Sequence, residues 1–162
     1  MTGLPPAAGP APRILILGSF PSVASLRAGE YYANPRNAFW QVMEGVFGVP
    51  ADLPYPERLE GLKAAGVALW DVLAGCTREG SSDASIRDAK ANAIPGFLRD
   101  HPTVRTVAIN GRAAEQWLRR VHPEVWETPG VRVLSLPSTS PANARLTVEE
   151  KVALWRSAAG KP

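Results

Sequence analysis

The sequence predicts an α/β domain with a parallel sheet that is covered by helices on both faces. Four short apolar segments, each followed by a turn signal, have the composition of buried parallel strands. These segments are Ile14–Leu17, Val67–Val72, Val104–Asn110 and Val131–Leu136. Helical spacings of apolar residues lie between them, and alternation of strand and helix is typical of a sheet packed between two helical layers.

The helical pattern occurs in five segments. They are Asn37–Phe47, Pro56–Ala65, Asp83–Asp100, Arg112–Val121 and Thr147–Ala158. Within the third segment we expect Pro95 to break or restart the helix, because proline has no N–H to donate. Thr147 followed three residues later by Glu150 is the pattern of a capping box, which predicts the start of the last helix.

The composition is that of one globular domain. The chain has 162 residues, of which 45% are hydrophobic and 20% are charged, and both fractions are ordinary for such a domain. We expect residues 1–12, rich in Pro, Ala and Gly, to be a disordered lead-in without signal-peptide character, and residues 13–162 to form a single domain. No apolar run approaches the roughly 20 residues of a membrane helix.

The single cysteine and the net charge restrict the function further. Cys76 alone cannot form an internal disulfide or a multi-cysteine zinc or iron–sulfur site, and a cytoplasmic location is the default expectation. A net charge of +3 permits a polyanionic partner without requiring one.

The residues with chemical potential follow the predicted strands. Gly18–Ser22 follows the first strand, Asp71 ends the second, Asn110-Gly111 ends the third, and Leu136–Asn143 follows the fourth. The carboxyl ends of parallel strands meet at one edge of a sheet, which is where such folds bind ligands. The sequence therefore predicts a cleft lined by small and polar turns at that edge.

Aromatic and amide residues are concentrated in Tyr31–Trp40, shortly after the first strand. A pocket for a flat polar ring needs such residues. The alternative is an aromatic core helix preceded by an ordinary loop.

Several common chemistries lack their residues. There is no Gly-Lys-Ser/Thr phosphate loop, no spaced glycines of a dinucleotide fingerprint and no serine elbow after a strand. His101 and His122 each precede a proline, away from the predicted edge, and the paired cysteines of a zinc deaminase are absent. The remaining Asn, Asp, Ser, Thr, Tyr, Phe and Arg side chains suit binding a base and orienting a water.

Four blocks, in order, resemble the uracil-DNA glycosylase superfamily. They are Gly18-Ser19-Phe20-Pro21-Ser22, Tyr31 to Trp40, Leu69–Leu73 with Ser81–Ile86, and Leu136 to Asn143. The hypoxanthine-DNA glycosylase branch, often called family six, is the most similar, and the mismatch-specific uracil branch is also similar. The resemblance implies a three-layer α/β/α sandwich with a central four-stranded parallel sheet. It also implies a monofunctional glycosylase that flips a deaminated base from single- or double-stranded DNA and hydrolyses its N-glycosidic bond.

The resemblance implies further properties and has two departures. It implies no metal and no cofactor, and we expect a monomer that has no membrane partner. Most branches carry a water-activating Asp or Asn where this chain has Phe20, and the best-known uracil enzymes have a base-contacting His near the position of Ser138. In the hypoxanthine branch, catalysis is associated with the Asn of an Asn-x-Phe-Trp block, which corresponds to Asn37.

Asn37 is the predicted catalytic residue. Its amide oxygen would hold a water against the sugar, a contribution of positioning more than of proton abstraction. The alternative is an N-cap for the helix that starts near Ala38. Asn34 is interpreted as a turn residue before Pro35.

The base-binding residues are predicted in three of the four blocks. These are the block that begins at Gly18, the block from Tyr31 to Trp40, and the block that contains Asp71. Tyr32 and Phe20 would stack on the flipped base, with Gly18 and Ser19 in the same pocket. Asp71 would accept a hydrogen bond from a base N–H such as N1 of hypoxanthine. The alternatives are core packing for the aromatics and an ion pair or cap for Asp71, while Asp83 is expected to cap its helix.

The last block and three arginines are predicted to contact DNA. Ser138, Thr139 and Ser140 would offer hydroxyl and N–H groups to phosphates, and Ala142 with Asn143 would probe the gap left by the base. Arg36, Arg112 and Arg145 would follow the DNA backbone. The alternatives are an ordinary Ser/Pro loop and solvated surface charges.

Three functions remain open at this point. The first is excision of hypoxanthine from deoxyinosine, and the second is excision of uracil or a mismatched base by the same class of enzyme. The third is a non-catalytic nucleic-acid-binding module that kept the pocket. A small-molecule hydrolase is disfavoured because no nucleophile and base form a pair.

Overall fold

The structure is a computed structural model that describes residues 1–160, and its elements alternate between strand and helix. In chain order they are β1 (Ile14–Gly18), α1 (Val23–Ala28), α2 (Phe39–Phe47), α3 (Tyr55–Ala64), β2 (Val67–Asp71), β3 (Leu73–Thr77), β4 (Arg87–Ala91), α4 (Ile94–Asp100), β5 (Thr106–Asn110), α5 (Arg112–Val121), β6 (Arg132–Leu136) and α6 (Val148–Trp155). Short 3-10 helices lie at Asp83–Ser85, Pro123–Glu127 and Arg156–Ala159.

The central sheet has four strands in the order β2-β1-β5-β6, and all neighbours are parallel. Side chains of β1 alternate between two cores, because successive residues of a strand point to opposite faces. Ile14 and Ile16 pack with α2, α3 and α6, whereas Leu15 and Leu17 pack with α4 and α5. Helices on both faces of a four-stranded parallel sheet confirm the predicted three-layer α/β/α sandwich.

The predicted helix Asp83–Asp100 is wrong over its first part. Residues 87–91 form β4, which pairs antiparallel with β3. Within the predicted segment only Ile94–Asp100 is α-helical. Ile86 and Ala89 pack partly against the core, and their spacing of three residues imitates a helix because the hairpin pairing has register shifts. Pro95 lies in the first turn of α4, so it restarts a helix as expected.

Residues 1–12 are also corrected, since they do not form a disordered lead-in. Ala7 and Leu69 exchange two backbone hydrogen bonds of 2.9 Å, and Gly3 donates to the carbonyl of Ala74 at 2.8 Å. The strand β2 lies at the edge of the sheet, where its unpaired backbone groups accept another segment. Composition alone does not reveal such a partner.

One helix start differs slightly from its prediction, and another agrees with it. The helix α2 begins at Phe39, two residues after Asn37, whereas α6 has the predicted capping box between Thr147 and Glu150. Among residues 1–160 the longest helices have ten residues, so none is long enough to cross a membrane.

Candidate active site

A cleft of about 470 Å³ opens at the carboxyl edge of the sheet. Its walls come from the turn after β1, the segment before α2, the ends of β2 and β5, and the loop after β6. This is the edge at which the four polar turns were expected to meet. The predicted site residues that line it are Gly18, Ser19, Phe20, Tyr32, Arg36, Asn37, Asp71, Ser138, Thr139, Ser140 and Ala142.

Asp71 is a buried acidic residue that lines the cleft. It is 4% exposed, and its Oδ2 atom is buried without a hydrogen-bond partner. Gly18 lies beside it in the sheet, and a Cβ atom on Gly18 would be 2.5 Å from Asp71 Oδ1, so only glycine leaves room for the carboxyl group. Burial, and after it the negative charge of Asp83, raise the pKa of Asp71 to about 7 against the opposing effect of Arg78.

Tyr32 presents its ring and hydroxyl from a strained backbone. Its φ of +56° lies in the left-handed region, which is uncommon for a residue other than glycine. The ring stacks on Phe39 with centroids 3.8 Å apart and 12° between the planes, and the hydroxyl accepts a hydrogen bond from Asn110 at 3.2 Å. Tyr32 therefore contributes to packing and also lines the cleft, so the two predicted alternatives are combined in one side chain.

Asn37 is held at the start of α2. Its Oδ1 accepts the N–H of Phe39 at 2.9 Å in an Asx turn. The N-cap of α2 is Ala38, so Asn37 lies one residue before the capping position considered as the alternative. An amide oxygen has two lone pairs, and this bond fixes the oxygen while leaving the second lone pair. Asn34 forms the expected turn, because its Oδ1 accepts the N–H of Arg36 at 3.0 Å.

Asn110 is a site residue that the sequence interpretation did not select. Its amide joins the end of β5 to Tyr32 and also exchanges two hydrogen bonds with Thr139. The available signal was its position at the end of a predicted strand on the ligand edge. Thr139 is 1% exposed and engaged by Asn110, which differs from the predicted contact with phosphates.

Ser19, Asp83 and Arg78 form the wall behind Phe20. Ser19 donates its hydroxyl hydrogen to Asp83 Oδ1 at 2.8 Å, and Asp83 lines the cleft. The expectation that Asp83 caps a helix is therefore wrong. The buried guanidinium of Arg78 lies 5.1 Å from the centroid of the Phe20 ring and donates to the carbonyl of Pro21 at 2.7 Å. Arg78 was missed because the sequence offered no signal for a hairpin that begins at Leu73.

The loop after β6 orders itself by short-range hydrogen bonds. The Ser138 hydroxyl accepts the N–H of Ser140 at 3.1 Å, and the Ser140 hydroxyl accepts the N–H of Ala142 at 3.2 Å. Asn143 lies outside the cleft lining, because its amide donates to the carbonyl of Ser138 at 3.1 Å. The loop packs closely on Gly111, where a Cβ atom would be 2.7 Å from the Ser138 Cβ.

The fold agrees with comparisons to known proteins. The family model described as the Uracil DNA glycosylase superfamily matches residues 5–159, which is nearly the whole chain. The chain belongs to the uracil DNA glycosylase superfamily.

Two named relatives and one solved structure that are similar to this chain come from the genus Methanosarcina. A protein of Methanosarcina acetivorans named Hypoxanthine DNA glycosylase is 38% identical over 135 residues, covering 83% of this chain and 82% of the relative. A protein of Methanosarcina barkeri with the same name is 32% identical over 158 residues and covers 96% of both chains. The solution NMR structure of a Methanosarcina acetivorans protein, described as a candidate uracil DNA glycosylase, has a TM-score of 0.81 and 34% identity over 97% of both chains.

Several titratable groups of this superfamily member lie away from the cleft. His101 contacts the carbonyl of Phe97 at 2.9 Å, and His122 contacts the carbonyl of Asn92 at 2.7 Å. Within residues 1–160 no cluster of three or more His, Cys, Asp or Glu side chains is arranged to hold a metal ion. Arg36 is exposed at the cleft, whereas Arg112 and Arg145 are not among the residues that line it.

Proposed function

We propose that this chain is a monofunctional DNA glycosylase that excises hypoxanthine from deoxyinosine in base excision repair. The observation that carries the proposal is one cleft lined by a stacking aromatic, a buried carboxyl group and a fixed amide, namely Tyr32, Asp71 and Asn37. The Methanosarcina relatives named Hypoxanthine DNA glycosylase support the choice of base.

In this proposal the base leaves the duplex and enters the cleft, since an enzyme cannot reach the glycosidic bond inside the stack. Tyr32 and Phe20 contact the base by stacking, and the narrow space above Gly18 and Ser19 restricts its position. Asp71 accepts the N1–H of hypoxanthine.

Asn37 positions the attacking water. The bond from C1′ to N9 breaks with its electron pair going to the base, and the sugar becomes cation-like. The water oxygen then bonds to C1′, and the proton lost by the water balances the charge on the departing base. An amide is a weak base, so Asn37 contributes orientation of the water through the second lone pair of its Oδ1.

The DNA backbone is proposed to run along the loop after β6. Ser138, Ser140 and Ala142 line the cleft there and contribute hydroxyl or N–H groups, and Arg36 adds a positive charge at the cleft. Such contacts to phosphate position the strand without reading its sequence. We propose a monomer that acts on DNA in the cytoplasm, without a metal or a cofactor.

Uracil is the second candidate base. Uracil has an N3–H beside a carbonyl oxygen, as hypoxanthine has an N1–H beside one, and Asp71 would accept either N–H. The similar solved structure is described as a candidate uracil DNA glycosylase, which also favours testing uracil.

A panel of oligonucleotides tests the proposal. Each carries one deoxyinosine, deoxyuridine or deoxyxanthosine in single-stranded or duplex form, and alkali then cleaves any abasic site. We expect the largest yield from deoxyinosine and none from Asn37→Ala. Asn34→Ala is the matched control, because it removes an amide three residues earlier that forms a turn. Absence of product on every lesion would overturn the enzyme and favour a binding module.

A further inference from the structure

Asp71 has no ion-pair partner among the residues of the cleft that the structure describes. Asp71 is 4% exposed and its Oδ2 atom is buried without a partner. None of the ion pairs among residues 1–160 involves this carboxyl group. A buried carboxylate without a partner is strongly disfavoured relative to the neutral acid.

The neighbouring groups reinforce this effect. Asp83 adds a second negative charge, and the hydroxyls of Tyr31 and Tyr32 are buried and neutral. Arg78 is the opposing positive charge, but its guanidinium donates to the carbonyls of Pro21 and Gly80 and not to Asp71.

We propose that Asp71 works as a neutral carboxylic acid, accepting the base N–H with one oxygen and donating its own O–H to the adjacent base carbonyl with the other. This inference rests on the proposed glycosylase function and concerns the same cleft. Burial and the charge of Asp83 raise the pKa of Asp71 to about 7, so the carboxyl group is mostly protonated at pH 6 and about half protonated at pH 7.

The chemistry of the base favours the neutral form. In hypoxanthine the N1–H lies beside the C6 carbonyl, so a carboxylate bound to N1–H would hold its second negative oxygen against O6. The electron pair of the broken C1′–N9 bond spreads over the purine and increases the negative charge on O6. An O–H donor at O6 stabilises that charge, and Asp71 retains its proton while the water supplies OH to C1′ and a proton to the base.

The pH dependence of single-turnover excision tests the proposal, with a duplex that carries one deoxyinosine. For the wild type we expect excision to fall as the pH rises through a midpoint at or above about 7, since the donor is lost on deprotonation. Asp71→Asn retains one donor and one acceptor in the same shape, so we expect it to remove the decline. Asp71→Ala removes both, and we expect a loss of about 100-fold, which corresponds to two lost hydrogen bonds.

Asp83→Asn is the matched control. The Asp83 charge raises the pKa of Asp71, so its removal should shift the midpoint of the decline to lower pH without abolishing the decline. A purely structural role for either residue would change the rate without moving the midpoint.

A second measurement covers the case in which Asp71→Asn fails to fold. The carboxyl carbon of Asp71 is followed by NMR in the wild type with 13C-labelled aspartate, and we expect the protonated form at pH 6. Excision that rises with pH, or a charged Asp71 at pH 6, would overturn the inference and leave the glycosylase proposal intact. Absence of excision by the wild type at every pH would overturn the proposed function itself.

Discussion

Asn110 and Thr139 hold each other by a reciprocal pair of hydrogen bonds. The Asn110 Nδ2 donates to Thr139 Oγ1 at 3.0 Å, and the Thr139 N–H donates to Asn110 Oδ1 at 3.0 Å. The same Nδ2 donates to the Tyr32 hydroxyl at 3.2 Å. One amide at the end of β5 therefore joins the loop after β6 to the aromatic wall of the cleft.

Removal of the Asn110 amide should destabilise both the loop after β6 and the aromatic wall of the cleft. We expect Asn110→Ala to lower the free energy of unfolding by about 2–3 kcal/mol, because it leaves buried groups of Thr139 unpaired. Thr139→Val keeps the backbone bond and should cost about 1 kcal/mol. Urea unfolding and single-turnover excision measure both variants, and equal losses for the two would contradict the central role of Asn110.

The variant Asn37→Ser distinguishes the hydrogen bond that Asn37 accepts from the Phe39 N–H from its proposed role in catalysis. The Phe39 N–H is bound by Asn37 at 2.9 Å, and a serine hydroxyl can accept it. We expect Asn37→Ser to keep the free energy of unfolding within about 0.5 kcal/mol, whereas Asn37→Ala loses about 1 kcal/mol. Both should lose excision by at least about 100-fold, to below detection in the cleavage assay, because the attacking water is no longer positioned. Wild-type excision in Asn37→Ser would show that Asn37 only holds the backbone before α2.

The ring of Tyr32 should matter more than its hydroxyl. We expect Tyr32→Leu to weaken binding of deoxyinosine DNA by about 1–3 kcal/mol, the usual contribution of a stacked base. Tyr32→Phe keeps the ring and loses the acceptor for Asn110, so its loss should be smaller. Binding is measured in the Asn37→Ala background, where the DNA stays intact. Equal affinity of the Leu and Phe variants would argue against stacking.

The buried carboxyl group predicts a pH dependence of stability that needs no substrate. In the unfolded chain an aspartate loses its proton near pH 3.9, whereas in the folded protein the pKa of Asp71 is about 7. The unfolded state therefore deprotonates first, and the contribution of Asp71 to folding falls as the pH rises from about 4 to about 7. The difference of about three pKa units corresponds to a change of about 4 kcal/mol in the free energy of unfolding.

Asp71→Asn isolates this contribution because an amide does not titrate. We expect its free energy of unfolding to increase relative to the wild type over that pH interval and to stay parallel above it. Urea unfolding at a series of pH values measures the difference. A difference that does not change with pH would mean that Asp71 titrates as an ordinary exposed carboxyl group.

The sheet was predictable because its strands are short and three of them, β1, β2 and β5, are buried on both faces. Ile14–Gly18 and Thr106–Asn110 are read directly from their apolar runs and the turns that follow. The hairpin of β3 and β4 was not predictable in this way. Its exposed strand Arg87–Ala91 has mostly polar residues, and Asp88 has a φ of +51°, so neither alternation nor strand propensity marks it.

The site was predictable where chemistry follows a strand end and less so where contacts are made across the fold. Asp71 was selected from its position at the end of a predicted strand and Asn37 from the resemblance to the superfamily, and both line the cleft. Asn110 has its role through Thr139, which is 29 residues away, and Arg78 reaches Pro21 over 57 residues. Such pairings depend on tertiary packing, which one sequence does not contain in readable form.

Release of the free base tests the central claim most directly. A duplex with one deoxyinosine is incubated with the protein, the free bases are quantified by mass spectrometry, and abasic sites are counted by alkaline cleavage. The proposed function predicts one hypoxanthine for each abasic site, a strand that stays intact until alkali is added, and neither product with Asn37→Ala. Binding of the duplex without release of hypoxanthine or any other base would contradict it.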